Sequence, residues 1–173
     1  MRYALAASGL LLLATCSPSP YADQPESQKK FVEFLHTWRS TWGSAINSIQ
    51  KENMPQARDN GLCQFGKSAS NWVGVVESVG TFYGGKFASI NIKIAPDITV
   101  RTGGDLGDDK FKIDRGSQMF KTLSQLGEGM KVTFSGFFGL NDNGCAREVS
   151  LTNNGAFNDP EFIFSFSHLE RKL

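Results

Sequence analysis

Downstream of residue 22, apolar positions recur at spacings of three and four. Phe31, Leu35, Trp38, Trp42, Ala45, Ile46 and Ile49 form one stripe, and that period predicts a single long amphipathic helix over residues 27–53. Asp23, Pro25 and Glu26 supply an expected capped start, and Pro55 an expected stop. Gly43 inside the stripe costs about 1 kcal/mol relative to alanine, which points to close packing there. Packing on the protein's own sheet is the plain use of such a stripe. Two tryptophans four apart make Trp38 and Trp42 the candidate contacts if it serves a partner instead. Residues 54–70 read as a polar connector.

From Asn71 the period changes to two. Trp72–Val79 is rich in valine. Phe87–Ala95 alternates, with Ala88, Ile90, Ile92 and Ile94 on one face and Phe87, Ser89, Asn91 and Lys93 on the other. Thr81–Lys86 joins the two, and Gly84-Gly85 supplies turn freedom. Ile98–Thr102 is the expected third strand, beyond a break at Pro96-Asp97. Ser117 caps a short helix with Met119, Phe120, Leu123 and Leu126 inward, ended by Gly127. Met130, Val132 and Phe134 mark a fourth strand and Arg147–Leu151 a fifth. Phe162, Phe164 and Phe166 alternate in a last short strand or extended tail.

Three strands, a short helix, then two more strands is the order of an OB-fold. The run from Leu123 through Leu126-Gly127-Glu128-Gly129-Met130 to Gly136 resembles the matching piece of bacterial OB-fold proteins. The resemblance covers about Asn71–Thr152. It implies a mainly β protein with some α structure: a five-stranded OB-like barrel preceded by one long amphipathic helix. Ligands of that fold lie across strands two and three and the adjoining loops. Here that face offers Phe87, Asn91, Lys93 and Arg101, with Phe82 and Tyr83 in the hairpin loop. Aromatics interleaved with cations suit stacking on bases or sugars.

The leader sets the expected compartment. Arg2 is followed by an uncharged run from Ala4 to Ala14. That run is too short to span a bilayer, which takes about 20 residues, and is the length of a secretory signal's apolar region. Two processing readings stay open: cleavage after Ala22, or a lipoprotein signal over residues 1–15 that leaves Cys16 lipidated and the chain tethered to a membrane. The expected division is therefore a leader over 1–22, helix and connector over 23–70, and an OB-like barrel with its C-terminal strand over 71–173.

Export changes the arithmetic. The 173 residues carry 18 basic and 17 acidic side chains, and loss of Arg2 brings the mature chain to formal neutrality. A neutral chain lacks the general electrostatic grip that nucleic acid binding draws on. Cys63 and Cys145 are then the only cysteines downstream of Cys16, and in an oxidising compartment such a pair reads as a disulfide. They lie 82 positions apart, and closing so long a loop is worth about 4.5 kcal/mol in the chain-entropy description.

Catalytic and cofactor chemistry finds little. Gly61-Leu-Cys-Gln-Phe-Gly66-Lys67-Ser68 matches the P-loop expression, but a P-loop needs a strand before it and a helix after it, and the pattern here is the reverse. Asp105, Asp108, Asp109 and Asp114 lack the spacing of an EF-hand loop and read as a solvated turn. Asn141-Asp142-Asn143-Gly144 reads as a hairpin turn. No Gly-x-Ser-x-Gly elbow is present, and His36 and His168 stand without a partnering nucleophile motif. No cofactor and no metal site is expected. The expectation is a non-enzymatic, exported cell-envelope domain, periplasmic, secreted or lipid-anchored, acting through protein contacts. The alternative is an OB domain that binds oligosaccharide or single-stranded nucleic acid.

Overall fold

The computed structural model describes residues 19–103 and 109–172. The apolar leader, Cys16, Asp105 and Asp108 lie outside the described residues.

The first helix, α1 (Glu26–Ser44), is shorter than its stripe. Phe31, Val32, Leu35 and Trp42 are buried, but Ile46 and Ile49 are exposed. The cause is local. Ala45 turns extended, and the Asn47 side chain accepts a hydrogen bond from Gln50 N, starting a separate turn, α2 (Ser48–Lys51). Pro55 does not stop a helix; it sits in the first turn of α3 (Met54–Gly61), where its missing N–H is no loss. The connector therefore holds a helix, a 3-10 turn at Leu62–Phe65 and the first residues of β1 (Ser68–Phe82). Asp23 caps nothing. Pro25 is the N-cap, without a side-chain bond, and Asp23 instead meets Lys131 and Lys172 at 3.1 and 3.0 Å. Gly43 has open space where a Cβ would stand, so it serves no close packing.

β1 is followed by β2 (Phe87–Ala95), β3 (Ile98–Arg101), the two-residue β4 (Ile113–Asp114), α4 (Gln118–Leu123), β5 (Lys131–Phe138), α5 (Asn153–Asn158) and β6 (Glu161–Arg171). Ser117 caps α4 by accepting from Phe120 N, and Leu123 is buried beneath it. The expected strand Arg147–Leu151 does not form. It makes one bridge, Glu148 to Phe162, while the Glu148 carboxylate accepts from Ser150 N and Glu161 N and holds the segment in a turn. The Phe-rich tail takes its place. Phe162, Phe164 and Phe166 all point inward from β6, which pairs with β5 on one side and β3 on the other.

The fold is thus mixed α and β, with one long helix ahead of a six-stranded sheet. Five strands pair in a ring: β1 with β2, β2 with β3, β3 with β6, β6 with β5, and β5 with β1. The ring stops short of a true barrel. β3 is short, it meets β6 over Thr99–Arg101 alone, and bulges interrupt four of the ladders. Two glycines allow the tightest approaches. A Cβ on Gly74 would lie 2.3 Å from Ile92, and one on Gly136 2.0 Å from the Ser165 carbonyl.

α1 closes one side of the ring and shares its core, so segments 23–70 and 71–173 are packed together. Phe31 is fully buried among Phe65, Trp72, Phe138 and Phe162, with ring centroids 5.2–5.4 Å away. Gln28, also fully buried, works as a surrogate strand residue. Its Nε2 donates to Val73 O at 2.6 Å and its Oε1 accepts from Val73 N at 2.8 Å. One amide thereby satisfies both backbone groups of a bulged strand and fixes the seat of α1.

Candidate functional site

The six residues of the expected ligand face separate into two groups. Alternation along β2 puts Phe87, Asn91 and Lys93 on the outer side, opposite buried Ala88, Ile90 and Ile92, and Arg101 lies across from Asn91 in register. At the hairpin tip Phe82, Tyr83 and Phe87 cluster, with centroids 5.4–6.1 Å apart. Lys86 and Lys112 stand over the Phe87 ring at 4.9 and 5.3 Å. Tyr83 is exposed and left-handed, with φ of 49°, just before Gly84 and Gly85. Toward the middle of the sheet the cations are occupied. Lys93 sits between Glu77 and Asp159 at 3.4 and 3.5 Å. Burial pulls its ammonium pKa down, but the two carboxylates outweigh this and hold it above the usual lysine value. Arg101 Nε lies 2.7 Å from Glu161, an ionic contact without hydrogen-bond alignment.

Trp38 and Trp42 face α5. Trp42 stacks on Phe157 with centroids 4.3 Å apart and planes within 7°, and Trp38 tilts against the same ring at 6.4 Å. Cations close the stack at both ends: Lys51 lies 4.5 Å from the Trp42 ring and Arg58 4.8 Å from Phe157. Arg58, almost wholly buried, also donates to the Ala156 carbonyl and to Asp59, and lies 3.6 Å from Glu148. Much of the surface these tryptophans offer is therefore spent on the protein's own helices.

A further cleft lies on the outer face of β5 and β6. It encloses about 460 Å³, within the range of sites that take small ligands or partner side chains. Phe111, Phe138 and Ile163 form its buried base, while Phe137 and Leu140 rise into solvent, 57% and 38% exposed. Lys67, Lys110 and Arg147 stand at its rim, and among the described residues no carboxylate lines it. Among the described residues Lys67 and Arg147 make no ion pair.

Local folding explains the rim. Phe138 N donates to Lys67 O at 2.9 Å, and Gly139 N to Ile163 O at 2.8 Å. Arg147 N returns to Gly139 O at 2.7 Å, closing a small hairpin whose turn is Asn141–Gly144. The Asn141 side chain accepts from Asn143 N and Cys145 N and stiffens that turn. Cys63 and Cys145 are joined in a disulfide, which ties the segment just before Lys67 to the hairpin bearing Leu140 and Arg147.

Sequence reading missed this cleft. The available signal was Phe137-Phe138: adjacent strand residues face opposite sides, so one phenylalanine had to point outward. Arg147 was hidden inside an expected strand.

The remaining candidates resolve simply. Gly61–Ser68 runs helix, 3-10 turn, strand, with Cys63 in the disulfide, so it lacks the strand–loop–helix cradle of a phosphate loop. Asp109 pairs with Lys112 at 2.8 Å. His36 and Arg39 of α1 both contact Asp97 in the β2–β3 turn. Burial raises the Asp97 pKa, but hydrogen bonding to His36 and its charge, with Arg39 behind them, leave it below the usual carboxylate value. His168 lies 3.5 Å from Glu170. Among the described residues no group of three or more His, Cys, Asp or Glu side chains is placed to hold a metal, and no helix is long and apolar enough to cross a membrane. No family model and no curated protein matches the chain.

Proposed function

We propose that this protein is a non-enzymatic, exported cell-envelope module that acts through protein contacts made in the β5–β6 cleft. One observation carries the reading: exposed Phe137 and Leu140 stand beside Lys67 and Arg147, which have no ion partner among the described residues. Such a combination is characteristic of recognition surfaces, where aromatic and arginine side chains carry much of the binding energy. Export is supported by the apolar leader ahead of residue 22 and by the Cys63–Cys145 disulfide. Periplasmic, secreted and Cys16-tethered forms all fit, and the mass of the mature N-terminus separates them. The scaffold is OB-like in this proposal. Support comes from the pairing order β1–β2–β3–β6–β5 and back to β1, the parallel pairing of β3 with β6, and α4 placed just ahead of β5.

A photo-crosslinking amino acid at position 137, used in intact cells, tests the role. The expected result is one discrete protein adduct, absent when Arg147 is changed to Glu. No protein adduct from position 137 would overturn it.

The hairpin cluster of Phe82, Tyr83 and Phe87 favours a second reading, an OB domain for oligosaccharide or single-stranded nucleic acid. Glycan or oligonucleotide binding that is lost in Phe87→Ala supports it. The engaged state of Lys93 and Arg101 and the neutral mature charge weigh against a polyanion.

A further inference from the structure

We propose that the occupant of the β5–β6 cleft is an acidic peptide segment of a partner protein, one that lays a bulky apolar side chain against Phe137 and Leu140 and sets carboxylates beside Lys67 and Arg147. The inference rests on the docking role proposed above and adds the chemistry of what docks.

Charge complementarity selects the sign. Several cations elsewhere on this protein are matched: Lys93 by Glu77 and Asp159, Arg101 by Glu161, Arg58 by Asp59, and Lys131 by Asp23. What sets Lys67 and Arg147 apart is their place: without an ion partner among the described residues, both line one cleft, and no described carboxylate lines it with them. Two such cations, Lys67 and Arg147, attract an anionic partner and disfavour a cationic one through like-charge repulsion. The guanidinium of Arg147 offers a planar fork that matches a carboxylate with two parallel hydrogen bonds.

Shape selects a peptide over an acyl chain. The exposed apolar side chains of the cleft, Phe137 and Leu140, stand at the surface above a base of Phe111, Phe138 and Ile163. An alkyl chain gains most from an enclosed channel that takes its whole length out of water. An exposed phenylalanine and leucine instead offer a platform on which one large side chain can be half buried while its neighbours reach the rim. The disulfide contributes pre-organisation. It joins the segments that carry Lys67 and Arg147, so their separation is set before a partner arrives and less ordering is lost on binding.

The test is an NMR titration of the disulfide-bonded protein with three synthetic twelve-residue peptides. All share a central tryptophan; their flanks are acidic, neutral or basic. The acidic peptide should move the amide resonances of Phe137, Leu140 and Arg147 and bind at least about tenfold more tightly than the neutral one. Arg147→Glu should reverse the ranking in favour of the basic peptide, and Phe137→Ala should weaken all three while preserving their order. A neutral or basic peptide that matches the acidic one at these resonances overturns the inference and leaves the docking role standing. Phosphatidylglycerol vesicles that move them when the acidic peptide does not overturn it in favour of lipid. Loss of the position-137 protein adduct in cells is the separate result that removes the docking role itself.

Discussion

Two regions of this molecule are built from the same side chains and use them in opposite ways. The helical cover stacks Lys51, Trp42, Phe157 and Arg58 face to face, and the Arg58 guanidinium is nearly buried with hydrogen bonds on the chain itself. The β5–β6 cleft also combines aromatics with cations, but Phe137 is more than half exposed and Arg147 has no ion partner among the described residues. In the first region, desolvated charge and ring surface meet each other, and the result is stability. In the second, they meet solvent, as the proposed docking role requires. Residue type does not separate a structural aromatic–cation cluster from a recognition surface; internal satisfaction does.

The comparison can be broken most forcefully at the helical cover. Arg58→Ala leaves Glu148 and the Ala156 carbonyl without their buried partner, and should cost about 3–5 kcal/mol in urea unfolding. Trp42→Ala should cost about 3 kcal/mol by removing the ring stacked on Phe157. If either variant unfolds at the wild-type midpoint, the stack is not structural.

The disulfide links the two regions' fates. The double change Cys63→Ser, Cys145→Ser should lower stability by about 2–4 kcal/mol. It should also broaden the amide signals of Leu140 and Arg147 relative to those of β2. Sharp, unshifted signals would show that the hairpin holds its rim without the bridge.

Acid sharpens the picture at a third contact, where α1 meets the β2–β3 turn. Asp97 has a lowered folded-state pKa, so its contribution is present above the ordinary unfolded value of about 3.9 and is lost as pH falls through the lower folded value. The acid limb of a Tm-against-pH curve should therefore be shallower in Asp97→Asn than in the wild type. An unchanged limb would mean that the His36–Asp97–Arg39 contact does not contribute to holding α1.

The smallest effect is the most telling. Phe137→Ala and Lys67→Ala should each change stability by no more than about 0.5 kcal/mol, because both side chains stand largely in water. A loss of several kcal/mol would place the cleft with the helical cover, as structure rather than recognition.

Much of the ring was legible in the residues. β2 alternates without interruption, so its buried isoleucines were readable one by one, and the Pro96-Asp97 and Gly84-Gly85 turns marked its ends. Ser117 announced α4 by its capping chemistry. The errors came where two local signals competed. The α1 stripe ran on through Ile46 and Ile49, but Asn47 captured its own backbone and ended the period. Arg147–Leu151 and the Phe162–Phe166 run both alternate. Choosing between them required knowing which one could reach β3 and β5 at once, and that depends on partners far away in the chain.

The sequence by itself determined the strongly periodic elements, α1, β2, α4 and β5, and the pairing of the two cysteines downstream of Cys16, because each follows from local spacing or from a count of two. Only the tertiary structure decided which charges are spent. Lys93, Arg101, Arg58, Lys67 and Arg147 look alike along the chain. Three meet acidic groups brought from distant segments, Asp159, Glu161 and Glu148, and two have no ion partner among the described residues and line one cleft. Charge matching is a through-space quantity, set by the fold's closure and not by neighbours in sequence.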